Sequence, residues 1–237
     1  MSKLSAFLFL ILLVSCQTTE TITINPDGSG NIEVYSLRDE NSLSQLGRQN
    51  FDEKFRDTTF TFQDYIKQYQ ETFVKFSKAD QALFTSHANV KMQIKLDPVQ
   101  MENFNKTSLD FKKIEEIPNV YESLMLANSL KENYPIWRKS YQVKYTFDGI
   151  VFKRYFVITD QEKFAKDVKE MEETEKIYSK YKMVQSYTLK YNFPKKIKSV
   201  SNSKAIISSD RKSLTLEFQL SDCLHNPEGT NLEIILE

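Results

Sequence analysis

The sequence predicts an α+β fold. Three observations predict it: apolar residues alternate at period two near both ends of the chain, they recur at three- and four-residue steps between those ends, and turn residues separate consecutive alternating runs. Residues 21–24 and 32–35 alternate on either side of Asn25-Pro26-Asp27-Gly28-Ser29-Gly30-Asn31, which predicts a hairpin. Residues 38–60 are polar with scattered apolar positions (Leu43, Leu46, Phe51, Phe55) and read as a short helix and a loop. Thr61 then opens a helix, with Asp64 at capping-box spacing, and Tyr65, Ile66, Tyr69, Phe73 and Phe76 give it an aromatic face.

Residues 90–96 alternate again and stop at Asp97-Pro98, which predicts a strand; a shorter strand is expected at 108–111. Pro118 suits a first helical position, Val120, Leu124 and Ala127 follow at helical spacing, and Tyr134-Pro135 closes the helix. Trp137 reads as a core filler. Residues 140–147 and 150–159 form a second hairpin around Asp148-Gly149, with Tyr141, Val143, Tyr145 and Phe147 on one face. Asp160 caps the longest helix, 161–183, whose Lys- and Glu-rich outer face is solvated surface. The remainder reads as strands at 186–193, 197–200, 205–208, 214–220 and 232–236.

The first sixteen residues have a different character. Lys3 precedes an apolar run from Leu4 to Val14, and eleven residues rise only about 16 Å as a helix, too short to span a bilayer. A charged start, a short apolar core and a small-residue exit describe an export signal. Leu13-Val14-Ser15-Cys16 resembles the lipobox of bacterial lipoproteins. That resemblance implies cleavage between Ser15 and Cys16, a diacylglyceryl group on Cys16 and acylation, as by palmitate, of the new amino terminus. The expected division is a signal peptide at 1–15, a lipidated tether at 16–20 and one α+β domain at 21–237. Gln17 stands where an aspartate would signal inner-membrane retention, so the resemblance favours the outer membrane, on its periplasmic face or at the cell surface.

Composition narrows the function. Without residues 1–15, which carry one charge (Lys3), 31 basic side chains face 32 acidic ones, and that balance gives no general attraction to nucleic acid. Aromatics are plentiful (17 Phe, 12 Tyr) and Gly and Pro are scarce (5 and 6), so an ordered chain is expected. Beyond Cys16 the remaining cysteine is Cys223, which reads as a buried apolar residue; His225, two positions on, would share its face in a strand and resemble a Cys/His pair. His87 and His225 lack metal-ligand neighbours at helical spacing. No nucleophile elbow, phosphate loop or dinucleotide fingerprint occurs, so neither a cofactor nor a metal is expected.

A second resemblance lies at the two ends of the mature chain. Ile24-Asn25-Pro26-Asp27-Gly28-Ser29-Gly30 resembles the opening of LppM-type lipoprotein domains and of many lipoproteins from Bacteroidetes-like bacteria. Residues 187–194, the Ser199-Val200-Ser201-Asn202 turn, residues 213–218 and the final run at 232–236 resemble the end of the same domains. The resemblance implies a curved antiparallel sheet packed on helices around a lipid-accessible cavity, and it brings no catalytic residues. The resulting expectation is a non-enzymatic, lipid-anchored envelope protein. Its apolar or lipid ligand would lie between Tyr65, Tyr69, Phe73 and Phe76 on one side and Tyr141 and Tyr145 on the other. The alternatives are a scaffold that docks another envelope protein through a sheet edge or the charged helix, and a hydrolase.

Overall fold

The computed structural model describes residues 16–39, 54–100, 102–179 and 185–237. The expected leader with Ser15, residues 40–53 of the helix and loop expected at 38–60, and the expected last turn of the long helix at 180–183 lie outside the described residues; of the remainder of 38–60, residues 38–39 and 56–60 are strand rather than helix or loop.

Strands β1 (Cys16–Ile24) and β2 (Gly30–Asp39) form the expected hairpin, with Cys16 opposite Arg38 and Ile24 opposite Gly30. At its turn Asp27 Oδ1 accepts from Ser29 N at 3.0 Å and Ser29 Oγ at 2.6 Å, and Gly28 takes φ +84°. Residues 16–20, expected as a tether, are strand. Their backbone pairs with β2 throughout and, from Thr18 onward, with a parallel strand on the other side.

β3 (Arg56–Thr61) leads into α1 (Phe62–Gln68), which Thr61 caps by accepting from Asp64 N at 3.2 Å. The helix expected to carry the whole aromatic stripe breaks at Tyr69, resumes briefly as α2 (Gln70–Phe73), and gives way to α3 (Lys78–Ser86). Ser77 caps α3 through Asp80 N at 3.1 Å, repeating the Thr-x-x-Asp device of α1. β4 (Lys91–Asp97) and β5 (Glu102–Phe111) follow, the second far longer than expected because it pairs along all of β2. After Pro118 a 3₁₀ turn at Val120–Glu122 precedes α4 (Ser123–Glu132), which ends on Asn133 in the left-handed region.

The second hairpin, β6 (Tyr141–Phe147) and β7 (Val151–Ile158), is closed by Asp148 Oδ1 accepting from Ile150 N and Val151 N, with Gly149 at φ +94°. Then come α5 (Gln161–Ser179), β8 (Ser186–Asn192), β9 (Ile197–Val200), β10 (Ile206–Ile207) and β11 (Ser213–Gln219). The strand expected through 220 gives way to a helix, α6 (Leu220–His225), and β12 (Leu232–Leu236) ends the chain. The described ladder ends there: Gln219 pairs with Ser186, the first residue of β8, and Leu220 N donates to the Gln185 carbonyl at 2.9 Å before the chain turns into helix.

The α+β class holds, with the strands in two sheets. The first has the order β10-β11-β8-β1-β2-β5-β4-β3 and the second β6-β7-β12-β9. Every neighbouring pair is antiparallel except β1 and β8. One core joins the layers: Ile22, Ile32 and Leu189 come from the first sheet, Phe152 and Ile234 from the second, and Phe62, Phe84 and Leu130 from helices. The sheets meet where Phe152 lies edge-on to Tyr191 at 5.1 Å and to Phe193 at 5.4 Å. Trp137 is a correction: it is 46% exposed, under the ammonium of Lys163 at 4.1 Å, and does not fill the core.

Gly30 sits where β2 begins, and a Cβ there would fall on the carbonyl oxygen of Thr23 and the ring of Phe111. Gly30→Ala is therefore expected to lower stability by about 1–3 kcal/mol through overpacking. Urea unfolding read by circular dichroism checks it; an unchanged midpoint would show that the hairpin shifts freely.

Candidate functional site

Alternation along β1 turns Glu20, Ile22 and Ile24 inward, so a carboxylate stands in the apolar row. On β7 the same alternation turns Phe152 and Arg154 inward. The two charges meet between the sheets, Arg154 Nε 3.5 Å from Glu20 Oε1, with Glu20 0% and Arg154 3% exposed. Tyrosines complete the shell. Tyr187 donates to Glu20 Oε2 at 2.8 Å, Tyr191 donates to Oε1 at 2.5 Å, and Tyr121 also donates to Oε2. Arg154 donates to Tyr187 Oη at 2.8 Å and, through Nη1, to the carbonyl and hydroxyl oxygens of Thr230 at 3.0 Å. Tyr145 stands at the edge of the group: its Oη makes no well-formed hydrogen bond, yet Glu20 is close enough to act on its ionisation.

Burial first, and the Glu20 charge second, hold Tyr121, Tyr145 and Tyr191 well above the ordinary tyrosine value of 10.0. For Tyr187 burial again dominates, partly offset by Arg154. These hydroxyls are therefore protonated at neutral pH, and those of Tyr121, Tyr187 and Tyr191 donate to the buried carboxylate. Its chemistry is that of a clasp between sheets and not of an acid–base pair facing a substrate.

A second site borders the clasp. A cleft of about 710 Å³ opens between the end of α3, residues 114–122, strand β6 and the start of α5. Its buried lining residues are Ile114, His87, Glu122, Val143 and Tyr145, the last also facing Glu20. His87 Nδ1 lies 3.0 Å from the Leu83 carbonyl and 3.1 Å from Ser86 Oγ, and Nε2 lies 3.3 Å from the Asn119 carbonyl; a neutral ring carries one N–H and donates to one of the two carbonyls. Around the lining stand Arg138, Lys139, Lys144 and Lys163 against Glu115 and Asp160. Arg138 pairs with Asp80 at 2.8 Å and Lys163 with Asp167 at 2.8 Å. Glu122 accepts from Lys139 N, and Glu115 accepts from Phe147 N. Lys139 Nζ lies over the rings of Tyr121 (5.5 Å) and Tyr141 (5.2 Å), and neither it nor Lys144 has a carboxylate partner among the described residues.

The residues singled out in the sequence are distributed as follows. Tyr145 lies in the cleft wall, and Tyr141, stacked on Phe156 at 4.4 Å, holds Lys139 at its mouth. Tyr65 stacks between Phe60 and Tyr69, each at 4.7 Å, while Phe73 and Phe76 pack on Phe84 at 6.1 and 4.9 Å. These four are half-buried among the helices and are not part of the cleft lining. Cys16 is the first residue of β1. Cys223 is buried in α6 and its thiol is pushed up to about 11, chiefly by burial. His225 lies exposed on the same helix, 3.4 Å from Glu175 of α5; in a helix the two-residue spacing gives the cysteine and histidine different faces. Among the described residues no group of three or more His, Cys, Asp or Glu could hold a metal, and no helix is long and apolar enough to cross a membrane. Sequence reasoning missed the clasp, although a charged residue on the inward face of an alternating strand, at Glu20 and at Arg154, is its signal.

No protein-family model matches the chain, and no curated protein matches it at a significant level. Among solved structures, the folded domain of Mycobacterium tuberculosis LppM, determined by NMR, aligns over 94% of this chain and 90% of its own at 7% identity and a TM-score of 0.35. A likeness that distant identifies neither a ligand nor an activity.

Truncating one partner of the clasp leaves the other charge buried, which typically costs about 3–5 kcal/mol. Glu20→Leu and Arg154→Met should each destabilise by that order, and the double variant by clearly less than their sum; additive losses in urea melts would mean the two charges are not coupled. Raised tyrosine values place the pH effect above 10.0: stability is fully present below that pH and falls as pH rises through the folded-state values. Tyrosinate absorbance followed alongside unfolding checks this. Ionisation of all twelve tyrosines near pH 10 in a still-folded protein would contradict it.

Proposed function

We propose that the protein is a lipid-anchored, non-enzymatic component of a bacterial cell envelope, held through Cys16 at the outer membrane, and that its cleft binds an amphiphile with an apolar body and an anionic head. The observation that carries the ligand class is the make-up of the cleft. Its lining combines buried Ile114, Val143 and Tyr145 with Lys139 and with Lys144 on the outward face of β6, two cations without carboxylate partners among the described residues, alongside the buried carboxylate of Glu122. Two tyrosine rings hold the Lys139 ammonium in a partly desolvated position, where an anionic head gains most from it. The volume, about 710 Å³, is in the range of small-ligand sites.

The anchor is supported by the apolar leader and the Leu13-Val14-Ser15-Cys16 signature. Two or more acyl chains make membrane residence lasting where one does not. The non-enzymatic reading is supported by the chemistry of the groups that could react: protonated buried tyrosines, a thiol pushed up to about 11, and a buried His87 whose ring lies against Ser86 and backbone carbonyls of the fold itself.

Palmitate titrated into the detergent-solubilised full-length protein, followed by calorimetry, tests the ligand. Saturable binding is expected, and Lys139→Met should weaken it about tenfold, the equivalent of about 1.4 kcal/mol. Binding that K139M and K144E leave unchanged would remove the cleft from consideration. Mass spectrometry of the Cys16 peptide recovered from native membranes tests the anchor independently, and an unmodified thiol there would end it.

The scaffold reading draws on one observation. β10, at the edge of the eight-stranded sheet, leaves Ile206 and Ile207 open to solvent, a surface suited to strand addition. Photo-crosslinking from position 206 in intact cells should then enrich a single partner; a spread of abundant neighbours would count against it.

A further inference from the structure

The registers of the first sheet place one row of residues level with one another across five strands. Cys16 is opposite Arg38, Arg38 opposite Asn103, Asn103 opposite Leu96, and Leu96 opposite Arg56. The row spans four strand spacings, roughly 19 Å. Two of the large apolar side chains left most open on the described surface lie just beyond it. Phe55, 64% exposed, is the next residue outward from Arg56, and Val99, 89% exposed, sits on the turn that joins β4 to β5. That turn is built to hold its position: Asp97 Oδ1 accepts from Val99 N at 3.1 Å and from Gln100 N at 2.9 Å. Phe55 lies between two exposed cations, Lys54 and Arg56, neither with a carboxylate partner among the described residues. An exposed ring between two cations suits a bilayer interface, where rings enter the acyl boundary and cations meet phosphates; the same end also carries Asp97 beside Val99 and Glu102 paired with Lys95.

We infer that this end of the sheet rests on the membrane: Phe55 and Val99 insert into the interfacial layer of an anionic bilayer, and Lys54 and Arg56 contact its headgroups. The inference rests on the anchoring of Cys16 proposed above and extends it. Because β1 begins at Cys16 itself, no spacer separates the attachment point from the folded body. The acyl chains thus hold the Cys16 row at headgroup level, and side chains one to three residues further out reach below it. The opposite end, which bears the β6–β7 turn with its exposed Ile150, is turned away. That end is far because Arg154 sits beside Tyr187, near the start of β8, while Phe152 sits against Tyr191 and Phe193, beyond its middle.

The test uses the full-length protein purified from membranes and reconstituted in vesicles of phosphatidylethanolamine and phosphatidylglycerol with brominated acyl chains. Trp137 is the only tryptophan, so Trp137→Phe gives a silent background into which Phe55→Trp, Val99→Trp or Ile150→Trp is placed. A side chain about 5–10 Å into the acyl boundary meets the bromines, so F55W and V99W should lose on the order of half their emission while I150W loses almost none. Flotation with the vesicles is measured on the same samples. Protein that floats while F55W and V99W are quenched no more than I150W overturns this orientation and leaves the anchor standing. Protein that fails to float overturns both.

Discussion

The structure depends on an ion pair that water does not reach. Glu20 and Arg154 come from different sheets, and each is there because a strand's inward row carries a charge where its neighbours carry Ile or Phe. Removing two charges from water is expensive, and their attraction alone seldom offsets it. Here tyrosine hydroxyls from β8 and from the 3₁₀ turn before α4 donate to the carboxylate, and the guanidinium donates through Nη1 to Thr230 and through Nη2 to Tyr187, while its Nε faces Glu20 at 3.5 Å without a well-formed hydrogen bond. The arrangement forms only in one registration of the sheets, since a shift of β1 by one residue would turn Glu20 to the other face. Its main effect is therefore to define how the layers stack, while the surrounding Ile, Leu and Phe side chains supply most of the burial.

The cleft inherits its shape from that stacking. Tyr145 belongs to both: its ring forms part of the cleft wall, and its hydroxyl faces Glu20. Tyr121 donates to Glu20, and its ring lies beneath the ammonium of Lys139 at the cleft mouth. The cation assigned to an anionic head is thus positioned by a residue that the clasp itself fixes. Rigid support of this kind limits the ordering cost of binding.

The proposed membrane-facing end follows from a different constraint, the strand register. With Cys16 paired to Arg38, the proposed attachment point lies within the sheet's own hydrogen-bond ladder, so on that proposal the orientation of the sheet and the position of the bilayer are one question. A flexible spacer would have separated them. The clasp, the cleft and the exposed Phe55 and Val99 then occupy three distinct parts of the molecule: interior, side and end.

Much of the fold is legible in the residues because the signals are local. The Pro-Asp-Gly and Asp-Gly turns, the Thr61–Asp64 cap and the period-two runs each act within a few residues, and each is found where expected. A second cap at Ser77–Asp80 was equally readable and predicts α3 by the same logic. What the chain alone could not decide is partner choice. Whether residues 16–20 hang free or pair, whether 220–225 extends β11 or turns into helix, and which strands share a sheet all depend on segments far away in sequence. The same holds for the clasp, whose carboxylate and Tyr191 hydroxyl stand 171 residues apart. By itself the sequence determined the α+β class, the hairpins and the apolar leader, because turn chemistry and hydrophobic period need only near neighbours. The pairing of Glu20 with Arg154, the cleft beside it and the row that lies level with Cys16 came from the tertiary structure alone, because each exists only once distant strands have taken up a register.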